Sequence, residues 1–251
     1  MAEWPLVTIQ VITYDRFTTL VKTLTALHRR IKYPADKLCY LVCDDATPDP
    51  TFAGRLQTTK LWQKLPNAQL HSRDRRGGWG RNVNRGMTYV DGPYIFFTED
   101  DYIPKRDIDL YRAVAVMEQT PSLGMLRFRG TGAHVLIYHG MEVDISGWLP
   151  DYREGWGYVN GKASYLLIDG GSPGFYIYSN GPHLKRQAFH QFYGDYPEGR
   201  LLGETEESYA HMVRDRMGEP GAPTIGILPD YLIMQFDHIG KSYQLGEHDL
   251  S

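Results

Sequence analysis

One stretch limits the choice of fold more than any other: residues 93–104, PYIFFTEDDYIP. It starts as a run of aromatic and β-branched residues, which reads as a buried strand. It stops in three consecutive acids, Glu99, Asp100 and Asp101. Pro104 cannot donate to a ladder and closes the strand. Carboxylates crowded at a strand end repel one another and are costly to desolvate unless a positive charge sits among them. A hard divalent cation, magnesium or manganese, meets that need, because it takes oxygen ligands and commonly shares them with substrate phosphates. A solvated acidic turn fits the same letters, so the decision falls to the rest of the chain.

Upstream, strand and helix patterns alternate. Residues 6–13 (LVTIQVIT) are a β-branched run, and 17–31 place Leu20, Val21, Leu24, Leu27 and Ile31 at helical spacing. A strand over 38–43, a helix over 52–65, a short strand over 68–72 and a helix over 81–90 lead into the acidic strand. This order predicts an α/β fold with a mainly parallel sheet flanked by helices. Such sheets bind ligands at the carboxyl ends of their strands. Here those ends are polar: Thr13-Tyr14-Asp15, Asp44-Asp45 and the three acids.

Neither a Walker lysine motif nor a Gly-x-Gly-x-x-Gly after the first strand is present. Gly77-Gly78-Trp79-Gly80 does precede a helix, so backbone N–H groups around Gly78 are candidates to face an anion, with Arg75, Arg76 and Arg81 beside it to neutralise a diphosphate; a flexible turn in an exposed basic loop fits the same letters. After Pro104 the alternation loosens. A helix is expected over 108–119, strands over 123–129, 134–138, 165–169, 175–178 and 227–236, and helices after 180 and over 208–217. The part between 148 and 179 is rich in Gly, Trp and Tyr, and its aromatics, over 148–178, are compatible with a carbohydrate-facing wall as well as with a core. No linker or internal repeat divides the chain.

A formal net charge of -3 gives no global field for nucleic acid, and the basic clusters at 73–76 and 185–186 are small. Cys39 and Cys43 lie on one strand, too far apart to bond, and read as small buried hydrophobes in a reducing compartment. No run reaches membrane-spanning length, and a cytoplasmic protein is expected.

The order of motifs resembles glycosyltransferase family 2, whose members have the GT-A fold. The matching residues are Thr13-Tyr14-Asp15-Arg16, Asp44-Asp45-Ala46-Thr47, Gly80-Arg81-Asn82-Val83-Asn84-Arg85-Gly86, and Glu99-Asp100-Asp101 before Pro104. The resemblance implies one GT-A domain over 1–251, with residues 6–104 as the nucleotide-sugar half and 105–251 as the acceptor half. It implies that Thr13, Tyr14, Asp15 and Asp44 line the nucleobase pocket, usually for uracil, with Asp44 or Asp45 accepting from the base N–H. Arg81 is expected near the diphosphate, Asp100 by the ribose or metal, and Asp101 on the Mn2+ or Mg2+ that bridges the phosphates. Glu99 departs from the commoner Asp-x-Asp, leaving open which of the three acids touches the ion. His238 matches a late histidine that supplies a further metal ligand in several GT-A enzymes, and Lys241 is placed to reach a phosphate.

The implied reaction is inverting transfer of a sugar from a UDP-linked donor to an acceptor hydroxyl. It needs a carboxylate base. Family members place it before a helix, here in Gly203-Glu204-Thr205-Glu206-Glu207, with Glu206 first and Glu204 and Glu207 in reserve. Thr205 or Ser208 as N-cap, with the acids near the positive helix end, accounts for the same segment structurally. Two other readings are a GT-A domain that binds nucleotide or glycan without catalysis, and a nucleotidyltransferase.

Overall fold

The computed structural model describes residues 3–128, 178, 180–227 and 236–239, together with the backbone of four strands between 135 and 168. The first half runs β1 (Val7–Thr13), α1 (Phe17–Arg30), β2 (Ile31–Lys32), β3 (Leu38–Asp44), α2 (Phe52–Gln57), β4 (Gln69–Ser72), α3 (Trp79–Met87) and β5 (Tyr94–Glu99). It continues with β6 (Tyr102–Pro104), β7 (Ile108–Asp109), α4 (Leu110–Glu118) and β8 (Leu123–Arg127). The backbone strands are β9 (Val135–Tyr138), β10 (Met141–Asp144), β11 (Trp156–Val159) and β12 (Lys162–Ile168). The chain then forms β13 (His183–Arg186), α5 (Gln187–Tyr193), α6 (Leu202–Arg216), β14 (Thr224–Ile227) and β15 (Phe236–His238).

Nine strands share one sheet, in the order β11-β12-β14-β8-β13-β5-β1-β3-β4. The β4, β3, β1 and β5 strands are mutually parallel. β13 runs against both β5 and β8, so those two point the same way across it. Every residue of β1 and β3 is buried, as expected for parallel strands covered on both faces. One apolar layer gathers Leu20, Leu24, Leu27, Val114 and Met117 from α1 and α4, and the other gathers Val83, Phe189, Tyr209 and Val213 from α3, α5 and α6. Gly86 lets α3 press close to the sheet: a Cβ there would collide with Gln10 Nε2 and, at 2.6 Å, with Cys43 Sγ. Gln10, buried in the middle of β1, donates to the Val83 carbonyl at 3.3 Å and ties the helix down.

Three expectations need correction. The helix over 52–65 stops at Gln57, because the Thr58 and Thr59 hydroxyls bond back to the last carbonyls and only a short 3-10 turn, Trp62–Lys64, follows. The segment after 180 contains β13 before its helix. The last long helix begins at Leu202 and not at 208, so Glu204, Glu206 and Glu207 occupy its opening turns, and Leu201, not Thr205 or Ser208, is the N-cap. The expected strand over 175–178 and most of the one over 227–236 lie outside the described residues, as does the side-chain detail of the aromatic stretch from 148 to 179.

Candidate active site

Parallel pairing brings the acidic strand ends together. Thr13 is in register with Asp44, and Ile12 with Glu99. The ladder runs one step further, with Asp45 N–H donating to Thr13 O and Asp100 N–H to Ile12 O, each at 3.1 Å. Adjacent strands are about 4.8 Å apart, so carboxyls from three strands crowd one edge.

Each acid there has a distinct environment. Asp44 accepts from the Thr47 hydroxyl at 2.5 Å and from its N–H, and the same Thr47 hydroxyl receives the Asp15 N–H at 2.8 Å. Asp15 holds this position with φ at 52°, a conformation that aspartate tolerates better than most residues. Asp45 takes the N–H groups of Gly77 and Gly78 at 2.9 and 2.8 Å, one on each oxygen, and lies 3.6 Å from Arg73 Nε. Burial outweighs these donors and pushes the Asp45 carboxyl up. The Gly78 N–H is therefore used by Asp45 and is not offered to a phosphate, contrary to the expectation for that turn. Of the two acids, Asp44 keeps an oxygen with a single long contact and so has more capacity to accept from a nucleobase.

Asp100 and Asp101 are both buried. Asp100 receives the Thr13 hydroxyl at 2.6 Å, and Arg16 reaches both acids, at 3.3 and 2.5 Å. Burial raises Asp100 to about 7 against the pull of Thr13 and Arg16. For Asp101 burial also acts upward, but His238 and Arg16 outweigh it and hold the carboxyl below its ordinary range. β15 pairs with β6 so that His238 stands opposite Tyr102, stacked on its ring at 4.7 Å, with Nε2 3.2 Å from Asp101 Oδ2. Asp101 Oδ1 is buried and has no partner among the described residues.

Glu99 accepts from the Trp79 indole N–H at 2.7 Å. Burial, then the charges of Asp101 and Glu206, push its carboxyl up to about 8. Glu206 is half-buried, and its Oε1 accepts the Asn180 N–H at 2.7 Å. Its neighbours are placed otherwise: Glu204 accepts from the Leu201 N–H at the start of α6, and Glu207 is exposed.

The remaining expected residues divide. Tyr14 lies under the Arg76 guanidinium, 4.3 Å from its ring centre. Arg81 pairs with Glu198 at 2.6 Å on the outer face of α3, in an open cleft of about 630 Å³ with Arg73, Arg75 and Arg85. Its ion pair is with Glu198 and not with an acid of the strand ends. Lys241 lies outside the described residues. Reasoning from sequence missed Trp79 and Asn180. The Trp79 signal was its place at the head of a helix facing the acids, whereas Asn180 gave none.

A hard cation fits this donor set in part. Asp101 offers a buried, unpartnered oxygen and His238 a ring nitrogen beside it. Among the described residues no group of three or more metal-binding side chains converges, so phosphate oxygens and water would complete the shell.

The family model "Glycosyl transferase family 2" matches residues 8–172. Cellulose synthase 2 of Novacetimonas hansenii is 26% identical over 126 residues, which are 50% of this chain and 7% of that protein. Among solved structures, S. aureus TarS 1-349 in complex with UDP-GlcNAc matches with a TM-score of 0.64 at 16% identity, over 95% of this chain and 61% of that one. The mannosyltransferase PcManGT from Pyrobaculum calidifontis, in complex with GDP-Man and Mn2+, matches with a TM-score of 0.59 at 16% identity, over 95% and 58%. These likenesses identify the fold as GT-A-like, and the chain spans only part of each relative's length.

Proposed function

The chain belongs to glycosyl transferase family 2, and from that premise we propose that it moves a sugar, with inversion, from a UDP-linked donor to an acceptor hydroxyl, with a divalent metal bound. One observation carries the reading: at the end of the acidic strand Asp101 has His238 Nε2 3.2 Å from one carboxylate oxygen, while its other oxygen is buried and without a partner among the described residues. Structures of TarS with UDP-GlcNAc and with UDP are among the similar ones, beside PcManGT with GDP-Man, so a nucleotide-sugar donor is supported and the choice of UDP is the notion that the donor screen tests.

In this reading Asp44 accepts from the base N–H, and Asp15 and Tyr14 complete the pocket, with Asp45 fixing the Gly77-Gly78 turn beneath it. Arg16 neutralises Asp100 and orients Asp101, keeping that carboxylate ionised for Mn2+ or Mg2+, with His238 as second protein ligand. The ion, when bound, stabilises the negative charge that develops on the leaving diphosphate. Glu206 takes the proton of the attacking hydroxyl. Its orientation is set by the Asn180 N–H, and its environment is far less enclosed than that of Asp100.

The test is a donor screen. UDP- and GDP-linked hexoses and N-acetylhexosamines are incubated with the protein and Mn2+, and nucleoside diphosphate release is followed with and without chelator. Metal-dependent UDP release from a UDP-sugar supports the reading. Release of pyrophosphate, or no turnover with any donor and acceptor, refutes it.

A further inference from the structure

Beside Glu206 lies a side chain that the fold leaves without partners. Asn180 is 5% exposed, and neither its Nδ2 nor its Oδ1 has a hydrogen-bond partner among the described residues. A primary amide carries two donors and an acceptor with two lone pairs. Enclosing such a group unpaired is costly, and native structures rarely keep one without a use. Holding Glu206 does not explain the residue type. That contact runs through the Asn180 backbone N–H, which any residue except proline supplies.

Position and chemistry narrow what completes the amide. The neighbouring chain is fixed, since the Phe128 N–H donates to Pro182 O at 2.9 Å and β13 begins at His183. Asn180 is thus held at the carboxyl-end edge of the sheet. The missing group must donate and accept in one place. A phosphate offers mainly acceptors, a cation leaves Nδ2 unpaired, and an alkyl chain satisfies neither atom. A buried water meets that need, and so do adjacent hydroxyls on a sugar ring, which present a donor and an acceptor side by side at the edge where the nucleotide sugar is expected.

Building on the glycosyltransferase reading above, we propose that Asn180 is the residue that reads the transferred sugar, its amide hydrogen-bonding ring hydroxyls and so setting which sugar is accepted. The test compares wild-type protein with Asn180→Ala and Asn180→Ser. It measures melting temperature, UDP affinity with Mn2+, and UDP release from UDP-glucose, UDP-galactose and UDP-N-acetylglucosamine. Asn180→Ala is expected to melt at or above the wild-type temperature, because an unpaired buried amide has gone, and to bind UDP unchanged. Release from the preferred donor is expected to fall about 30-fold in kcat/KM and the preference among the three donors to narrow, with partial recovery in Asn180→Ser. Wild-type rate and preference in Asn180→Ala would overturn the inference alone, as would a loss of activity matched by a loss of melting temperature or UDP affinity. A wild-type chain that turns over no nucleotide sugar would overturn the underlying reading, and the inference with it.

Discussion

His238 Nε2 lies 3.2 Å from Asp101 Oδ2 because two short strands far apart in the chain, β6 and β15, pair antiparallel and stack the imidazole on Tyr102. The backbone continues the alignment, with the Ile239 N–H donating to Asp101 O at 2.9 Å. A late histidine is thereby built into the end of the acidic strand.

This pairing makes metal dependence divisible between the two residues. UDP with Mn2+ is expected to raise the melting temperature more than UDP alone. Asp101→Asn should abolish that increment together with transfer while leaving a folded protein. His238→Ala should weaken Mn2+ binding about tenfold and be partly rescued by excess metal. Thermal shift against a metal titration reads both; an Asp101→Asn protein with the full increment would remove Asp101 from the metal site.

Removing the acid–base capacity of Glu206 should separate binding from chemistry. Glu206→Gln still accepts the Asn180 N–H through its amide oxygen, so UDP affinity should hold while transfer falls about 10²–10⁴-fold. Glu204→Gln and Glu207→Gln should change the rate little, given their places at the helix start and in solvent. Steady-state rates with UDP titrations decide; normal turnover in Glu206→Gln would move the base elsewhere.

Lys185 gives the fold a pH signature independent of the active site. It is fully buried in β13, donates to the Tyr196 hydroxyl at 3.0 Å, and burial lowers it to about 7. The unfolded chain keeps an ordinary lysine, so between about pH 7 and 10 it binds a proton that the folded chain lacks, and the Lys185 contribution to stability rises with pH across that window. Glu99 and Cys43, whose folded forms hold their protons longer, contribute in the opposite direction. Lys185→Met, close in volume, should melt higher than the parent near pH 7 and flatten the rise. Melting curves of parent and variant from about pH 6 to 10 check the sign, the gap between them closing as pH rises; a gap that stays constant with pH would show that Lys185 does not titrate as stated.

Gly86→Ala should destabilise by about 1–3 kcal/mol through overpacking, or on the order of 5 °C in melting temperature, since its Cβ would meet Gln10 and Cys43. Shortening the obstruction with Gln10→Ala in the same protein should recover part of the loss. Additive losses in the double variant would argue against the contact.

The first half of the chain was legible because its strands are buried on both faces and end in acids, so apolar runs and their polar termini marked both the sheet and the site. β13 gives no strand signal because three of its four residues, His183, Lys185 and Arg186, are polar. Its burial comes from β5 and β8 on either side, and His183 and Lys185 are enclosed by tertiary packing that no local pattern encodes. The Gly77-Gly78 turn misled for a related reason. Glycines ahead of a helix suggest free N–H groups, and only the folded chain shows Asp45 already occupying them. The expectation for Glu206 comes from a family pattern, while Asn180, whose N–H it accepts, lies in a loop with no signature of its own.

The place of β13 also governs how a nascent chain can mature. Until residues 183–186 leave the ribosome, β5 presents an open edge and β8, whose other neighbour β14 comes later still, has no partner on either side. Open edges of this kind invite pairing with other chains. Productive assembly must therefore wait for a late segment to slot into the middle, and a product terminated ahead of it is left with the aggregation-prone half of a sheet.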